Sequence, residues 1–145
     1  MNRLTTCKDG KWSIAHNIEH LILSAKPVSL AFSLPKFLLR FFGKPNRAGR
    51  VYDEVVNRYL QRLDQGGKAP AQFIPSRKIK TREVLLDRFQ RAHEKLVKNI
   101  SGHSEADLDR YVLPHPLLGK LLLREMCFFT IYHIHHHHNA IKKQI

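Results

Sequence analysis

The end of the chain carries an apolar stripe at helical spacing, and this stripe restricts the fold more than any other feature of the sequence. Its members recur every three or four residues, which keeps them on one face of an α-helix. They are Leu122, Met126, Phe129, His133 and His137. The stripe predicts a long amphipathic helix from about residue 118 to residue 143. Its last two positions are histidines on the face that should point to the core.

A run of histidines surrounds these two positions, since five of the ten histidines lie between residues 133 and 138. Such a run near a terminus is often a purification tag. Here it is interrupted by Ile134 and followed by residues 139–145, which argues against a tag. On a helix, His135 and His138 fall away from the stripe, and we expect them to face solvent. His136 flanks the stripe, and the sequence leaves open whether it joins a site.

The spacing of His133 and His137 is typical of a metal site. Histidines at i and i+4 on one helical face can present two imidazoles to one cation, as in helical zinc motifs. A third ligand must then come from elsewhere in the chain. The candidates are His16, His20, His93, His103 and His115. Spacing alone does not choose among them, and a core histidine with a satisfied hydrogen bond is the competing interpretation of His20.

Length and cysteine content indicate the class of protein. A chain of 145 residues and 16.9 kDa fits one domain, residues 1–145, with a core of its own. Cys7 and Cys127 are too few and too far apart for a disulfide framework, which predicts a reducing compartment. No segment has the pattern of a signal peptide or the length of an uninterrupted apolar membrane span. We therefore expect a cytoplasmic protein that does not enter a membrane.

The formal charge of +13 is the main competing indication of function. Basic residues are dense over residues 26–50 and again over residues 77–82. A surface of this kind attracts phosphate backbones without reading sequence. No zinc-finger spacing, helix-turn-helix signature or RNA-binding aromatic motif accompanies it, and charge runs are usually solvated faces. We expect nucleic acid not to be the main partner.

Most of the chain has helical rather than strand patterning. Ser13 and Thr81 are good N-caps for two of the helices, and Pro27 is expected to end the first of these. A rigid turn is expected at residues 113–116, and no useful β alternation is present. The predicted helices cover residues 13–25, 52–63, 82–100 and 118–143, with short helical pieces in residues 30–42. The sequence therefore predicts an all-α fold.

Three short motifs together carry a resemblance to a known family. They are Trp12-Ser13 followed by Glu19-His20-Leu21, then Leu113-Pro114-His115-Pro116, then Leu123-Arg124-Glu125-Met126 running to His133 and His137. In this order the chain, over about residues 10–145, resembles the DinB/YfiT-like superfamily of metal-binding helical bundles. The resemblance implies an up-down four-helix bundle. It also implies that His20, eight residues after the tryptophan, binds a divalent metal together with His133 and His137.

Two departures from the family pattern carry further expectations. Only eleven residues precede Trp12, where the family usually has a full helix, so we expect a shortened or missing first helix. Apolar side chains that this helix would cover should then face water, which predicts a homodimer, or a chain that aggregates unless the missing N-terminal segment is restored. The second departure is His16, one turn before His20. A fourth imidazole there would turn an open site into a closed, structural one.

The resemblance also implies a class of function. A three-histidine site with open positions is a Lewis acid that lowers the pKa of a bound water or thiol. The family pattern implies a metal-dependent hydrolase or a thiol-dependent transferase acting on an unknown small molecule, with a low-molecular-weight thiol as co-substrate. Zinc or nickel is favoured and iron(II) is the third choice. Glu19 and Glu125 are the candidate general bases. The alternative is a non-catalytic binding or stress-response module stapled by metal, with a basic surface for nucleic acid.

Overall fold

The computed structural model describes residue 5, residues 11–76, residue 78 and residues 80–145. Over these residues it contains six α-helices, one two-stranded sheet, and short 3-10 turns at Arg40–Phe42 and Ala71–Phe73. The helices are α1 (Ile14–Ser33), α2 (Lys36–Leu39), α3 (Tyr52–Asp64), α4 (Arg82–Ser101), α5 (Glu105–Arg110) and α6 (Leu123–Lys142). The strands are β1 (Val112–His115) and β2 (Gly119–Leu122). The predicted all-α class is confirmed.

The four long helices pack around one another to build the core. α1 packs against α4 and α6, and α3 packs against α6. Apolar side chains from α1, α3 and α6 meet in the main core, with Phe32, Val55 and Met126 all buried. A smaller core joins α1 to α4 through Ile22 and Leu85. Because α6 contacts both α1 and α3, its histidine stripe lies between helices.

The predicted N-caps are confirmed. The Ser13 hydroxyl accepts a hydrogen bond from the backbone N–H of His16 at 3.3 Å, and the Thr81 hydroxyl accepts one from Val84 at 3.4 Å. Each side chain thereby satisfies one of the N–H groups that the first turn of a helix leaves without a partner. Residues 1–4 and 6–10 lie outside the described residues. The expectations about a missing first helix and about Cys7 lie there as well.

The prediction that Pro27 ends the first helix is wrong, because α1 continues to Ser33. Proline inside a helix removes one hydrogen bond and costs about 3 kcal/mol. The turn after Pro27 offsets this cost, since Phe32 is fully buried in the core and Val28 and Ala31 pack against it. Burying a phenylalanine side chain contributes roughly 1.5 to 3 kcal/mol by itself. Tertiary packing therefore decides where this helix ends.

The expected absence of β structure is wrong at residues 112–122. There β1 and β2 form an antiparallel hairpin in which Val112 pairs with Leu122 and His115 pairs with Gly119. Gly119 has a φ of +72°, a conformation that glycine adopts without strain. The strands are four residues long, too short for alternation to be visible in the sequence. The hairpin is held because Leu113 and Leu121 are buried in the core.

A buried ion pair fixes the start of α6. Glu125 is fully buried, and both of its carboxylate oxygens accept hydrogen bonds from the Arg47 guanidinium, at 2.6 and 2.7 Å. The backbone N–H groups of Arg50 and Leu122 donate to the same carboxylate. The loop before α3 is thereby tied to the first turn of α6.

None of the described helices alone has both the length and the apolar character of a membrane span. α1 taken together with residues 36–42 meets those two criteria as a pair bent by 113°.

Candidate metal centre

Three histidines from two helices meet inside the bundle. His20 comes from the middle of α1, and His133 and His137 come from successive turns of α6. All three side chains are buried. The Nε2 atom of His133 lies 3.1 Å from Nε2 of His20 and 3.1 Å from Nε2 of His137. One nitrogen from each ring lies within 4.8 Å of the others, as the ligands of a single metal ion must.

Hydrogen bonds on the far side of the rings fix two of the three tautomers. Nδ1 of His20 donates to the backbone carbonyl of Phe73 at 2.8 Å. Nδ1 of His137 donates to the side-chain oxygen of Asn17 at 2.7 Å. In a neutral imidazole the other nitrogen then carries a lone pair. Both Nε2 lone pairs therefore face the shared space between the rings, in the arrangement that metal-ligating histidines usually have.

Asn17 is held so that its oxygen faces His137. It lies on α1 and is buried, and its side-chain amide donates to the backbone carbonyls of Ser13 at 2.9 Å and Trp12 at 3.2 Å. Those two carbonyls can only accept hydrogen bonds, so the amide nitrogen must point to them and the oxygen to the histidine. The start of α1 therefore sets the proton position of a ring on α6.

Burial keeps the three rings neutral. Loss of solvent lowers the pKa of His133 to about 2, and nearby His137 and His20 lower it further by charge repulsion. Burial and the neighbouring His20 lower the pKa of His137 to about 3. Burial also lowers the pKa of His20, although its bond to Phe73 acts in the opposite direction. Neutral imidazole is the form that binds metal.

Trp12 lies against one side of the histidine cluster. Its ring centroid is 4.7 Å from that of His20 and 6.0 Å from that of His137. Phe129 stacks on His133 with a centroid distance of 5.0 Å. Aromatic surface thus covers part of the cluster and limits water on that side.

A cavity of about 500 Å³ opens beside the cluster, with His20 and His133 in its wall. Its walls come mainly from apolar side chains of α1, α3, α6 and the β1–β2 hairpin. His115 also lines it, from the end of β1. Cavities that bind small molecules typically have about 300 to 1,000 Å³ and mostly apolar walls with a few polar groups. The histidine cluster is therefore reachable from a space of ligand size.

A comparison with protein families finds a match to the DinB superfamily over residues 4–141. The chain belongs to the DinB superfamily. Neither the curated proteins nor the solved structures contain a significant match to it. The family match confirms the predicted family. Evidence about the substrate comes from the site itself.

The remaining histidines of this DinB-superfamily chain lie outside the cluster. Of the described residues, only His20, His133 and His137 form a group of three potential metal ligands. His16, whose role as a fourth ligand the sequence left open, contacts the Ser13 hydroxyl through Nδ1 at 2.7 Å. His136 is half-buried, and its ring packs near Tyr59 and Tyr132. His135 and His138 are exposed, as predicted.

Neither candidate general base lines the cavity. Glu19 forms a bidentate pair with Arg88 at 2.8 and 2.9 Å. Glu125 is enclosed by its own ion pair, and although burial would raise the pKa of its carboxyl, the bonds from Arg47 and two backbone N–H groups lower it. Both carboxylates therefore hold the fold together. Cys127 is a poor nucleophile too, because burial raises the pKa of its thiol to about 11.

Sequence reasoning missed the groups that orient the ligands. Asn17 has a signal that could have found it, because it precedes His20 by three residues and so shares its helical face. The Phe73 contribution is a backbone carbonyl, which any residue type supplies. Only the tertiary structure could show that this carbonyl is placed against His20.

Proposed function

We propose that His20, His133 and His137 bind one divalent cation, and that this centre and the adjacent cavity form the active site of a metal-dependent hydrolase or a thiol-dependent transferase. The observation that carries the proposal is the convergence of two Nε2 lone pairs whose rings are tied at Nδ1. Three imidazoles favour zinc or nickel, with iron(II) as the third choice.

The spacing of the three nitrogens supports this ligand set. Tetrahedral zinc with Zn–N bonds of about 2.0 to 2.1 Å requires ligand nitrogens about 3.4 Å apart. Here two of the separations are 3.1 Å, close to that value. Three protein ligands are also one fewer than the four of a structural zinc site. This count favours a site that can accept a further ligand.

Chemistry at such a centre comes from the cation, which acts as a Lewis acid and lowers the pKa of a water or thiol bound to it. The protein residues hold and orient the three histidine rings. Asn17 and the Phe73 carbonyl keep the Nδ1 protons of two rings in place, and Trp12 and Phe129 restrict solvent. A low-molecular-weight thiol is the proposed co-substrate of the transferase reaction. The homodimer and the cytoplasmic location stay predictions from the sequence.

Metal content measured on untagged protein tests the proposal. The protein is stripped with a chelator, reloaded separately with zinc, nickel and iron(II), and analysed for bound metal by mass spectrometry. We expect one metal per chain in the wild type and in His135→Ala and His138→Ala, the matched controls from the same histidine run. His20→Ala, His133→Ala and His137→Ala should each lose it.

Equal losses from all five changes would instead indicate nonspecific binding by the histidine run. Loaded protein is then assayed for ester and amide hydrolysis and for thiol transfer. Metal that raises the melting temperature without supporting either reaction would favour the alternative, a non-catalytic module stapled between α1 and α6.

A further inference from the structure

His115 has a fixed tautomer in the cavity wall. It is the last residue of β1, and its Nδ1 accepts hydrogen bonds from the backbone N–H groups of Leu117 and Leu118, both at 3.1 Å. Two donors at Nδ1 require a lone pair there, and the proton of the neutral ring must therefore be on Nε2. The backbone of the turn between β1 and β2 thus fixes an N–H donor on Nε2 of His115.

This donor lies close to the three-histidine centre. The His115 ring contacts Phe129 at a centroid distance of 4.2 Å, and Phe129 in turn stacks on His133. Nε2 of His115 forms no hydrogen bond with any described residue, and the half-buried ring lines the cavity. An N–H group in a cavity wall that has no protein partner can donate to an acceptor atom of a ligand.

The remaining wall of the cavity is uncharged. Apart from the histidines, its polar side chains are Ser24, Tyr59 and Gln72, and no Asp, Glu, Lys or Arg belongs to its described lining. Burial raises the pKa of Tyr59 to about 12, so this residue is a neutral phenol. In the metal-free protein a charged ligand would lose its hydration here without gaining a counter-charge from the wall, whereas an apolar ligand has little hydration to lose.

From the cavity and the fixed tautomer together, we propose that the cavity binds an uncharged, mainly apolar molecule bearing a carbonyl-type oxygen, and that His115 Nε2–H donates to this oxygen beside the three-histidine centre. The inference rests on the proposed function for its location and names the substrate class of the same site. His115 is accordingly a ligand-binding residue that selects carbonyl compounds.

Binding of the neutral naphthyl ketone prodan tests the inference. Equilibrium dialysis compares prodan with an analogue in which a methylene replaces the carbonyl, and with the matched anionic naphthoate. The variant is His115→Asn, because the asparagine oxygen can still accept the Leu117 and Leu118 N–H groups while its shorter side chain leaves the cavity without the donor. His93→Asn, a half-buried histidine bonded to the Phe89 carbonyl, is the control.

We expect wild type and His93→Asn to prefer prodan over the methylene analogue. His115→Asn should lose about 3- to 10-fold in affinity for prodan and less than twofold for the analogue, as for one neutral hydrogen bond. An unchanged ketone preference in His115→Asn would overturn the inference. So would naphthoate binding to the chelator-stripped protein as tightly as prodan.

If His115→Asn does not fold, long-range proton–nitrogen NMR of the histidines in the wild type decides. We expect a proton on Nε2 of His115 and a shift of that resonance when prodan binds. A proton on Nδ1, or an unchanged resonance at saturation, would contradict the inference.

The same titrations on chelator-stripped protein and on His137→Ala separate this inference from the proposed function. His137 is not in the cavity wall, so both samples should retain the ketone preference. Ketone preference without metal binding would leave this inference standing and remove the proposed function. Metal binding without ketone preference would leave the proposed function standing and remove this inference.

Discussion

α6 carries two buried polar clusters, one at each end, and they differ in how completely the protein satisfies them. At the first turn, Glu125 receives two hydrogen bonds from Arg47 and two from backbone N–H groups. Toward the other end, His20 and His137 each direct an Nε2 lone pair at His133. A single N–H on Nε2 of His133 can serve only one of them, and the Ser24 hydroxyl is a longer contact at 3.4 Å from His20.

This difference distinguishes a buried cluster that stabilises the fold from one that is available to bind a cation. The Glu125 cluster balances its own charge and satisfies its acceptors, so it needs nothing from outside the chain. The histidine cluster has more acceptors than nearby protons, and a cation would satisfy all of them at once. The first cluster should therefore matter for stability, and the second for binding.

The largest expected effect follows from breaking the closed cluster. Glu125→Ala leaves the Arg47 guanidinium and two N–H groups without their acceptor, and we expect a loss of about 3 to 5 kcal/mol in the free energy of unfolding. Urea unfolding of chelator-treated protein measures it. His133→Phe, its counterpart in the open cluster, should cost less, about 1 to 2 kcal/mol in that metal-free protein, because it leaves a neutral imidazole without its donor but leaves no charge unpaired. Equal losses in the free energy of unfolding from the two changes would contradict the difference between the two clusters.

A smaller effect should come from the residue that orients a ligand. Asn17→Ala removes the acceptor for Nδ1 of His137, and changes of this kind typically cost 10- to 100-fold in metal affinity. Competition with a chromogenic chelator measures this affinity. Asn139→Ala, at an exposed position on α6, is the matched control and should bind metal as the wild type does. Unchanged affinity in Asn17→Ala would show that the tautomer needs no support.

The smallest effect, taken per histidine and per pH unit, concerns pH in metal-free protein. Burial lowers the pKa of His115 to about 4, and the pKa values of His133 and His137 are lower still. Below about pH 6.5 the unfolded chain binds protons that the folded protein does not, so stability should fall as the pH decreases. Each such histidine contributes up to about 1.4 kcal/mol per pH unit.

Urea unfolding between pH 6.5 and pH 4.5 measures this slope, and His115→Asn should reduce it by about one histidine's share. A slope that stays the same in this variant would contradict the assignment of His115 as a neutral, buried ring. The Glu125 cluster acts at lower pH. Its folded-state pKa is lowered, so its stabilisation is present above the ordinary glutamate pKa of 4.5 and is lost as the pH falls through the folded pKa.

Residue patterns within short segments were enough to predict much of the fold. The stripe ending in His133 and His137 predicted α6, because helical periodicity is set by backbone geometry within a few residues. Ser13 and Thr81 marked the starts of α1 and α4 because a cap bonds to N–H groups only two or three residues away. Pro27 and the hairpin were misread because apolar burial overrides a local preference of a few kcal/mol.

For the site, the sequence by itself determined that two imidazoles share one face of α6, and a family pattern pointed to His20 as their partner. Only the tertiary structure decided that this partner is in reach, since His20 and His133 are 113 residues apart in the chain. It also decided the tautomers, through a backbone carbonyl at Phe73 and an amide on another helix. The cavity has the same origin, because a space between packed elements belongs to no single segment.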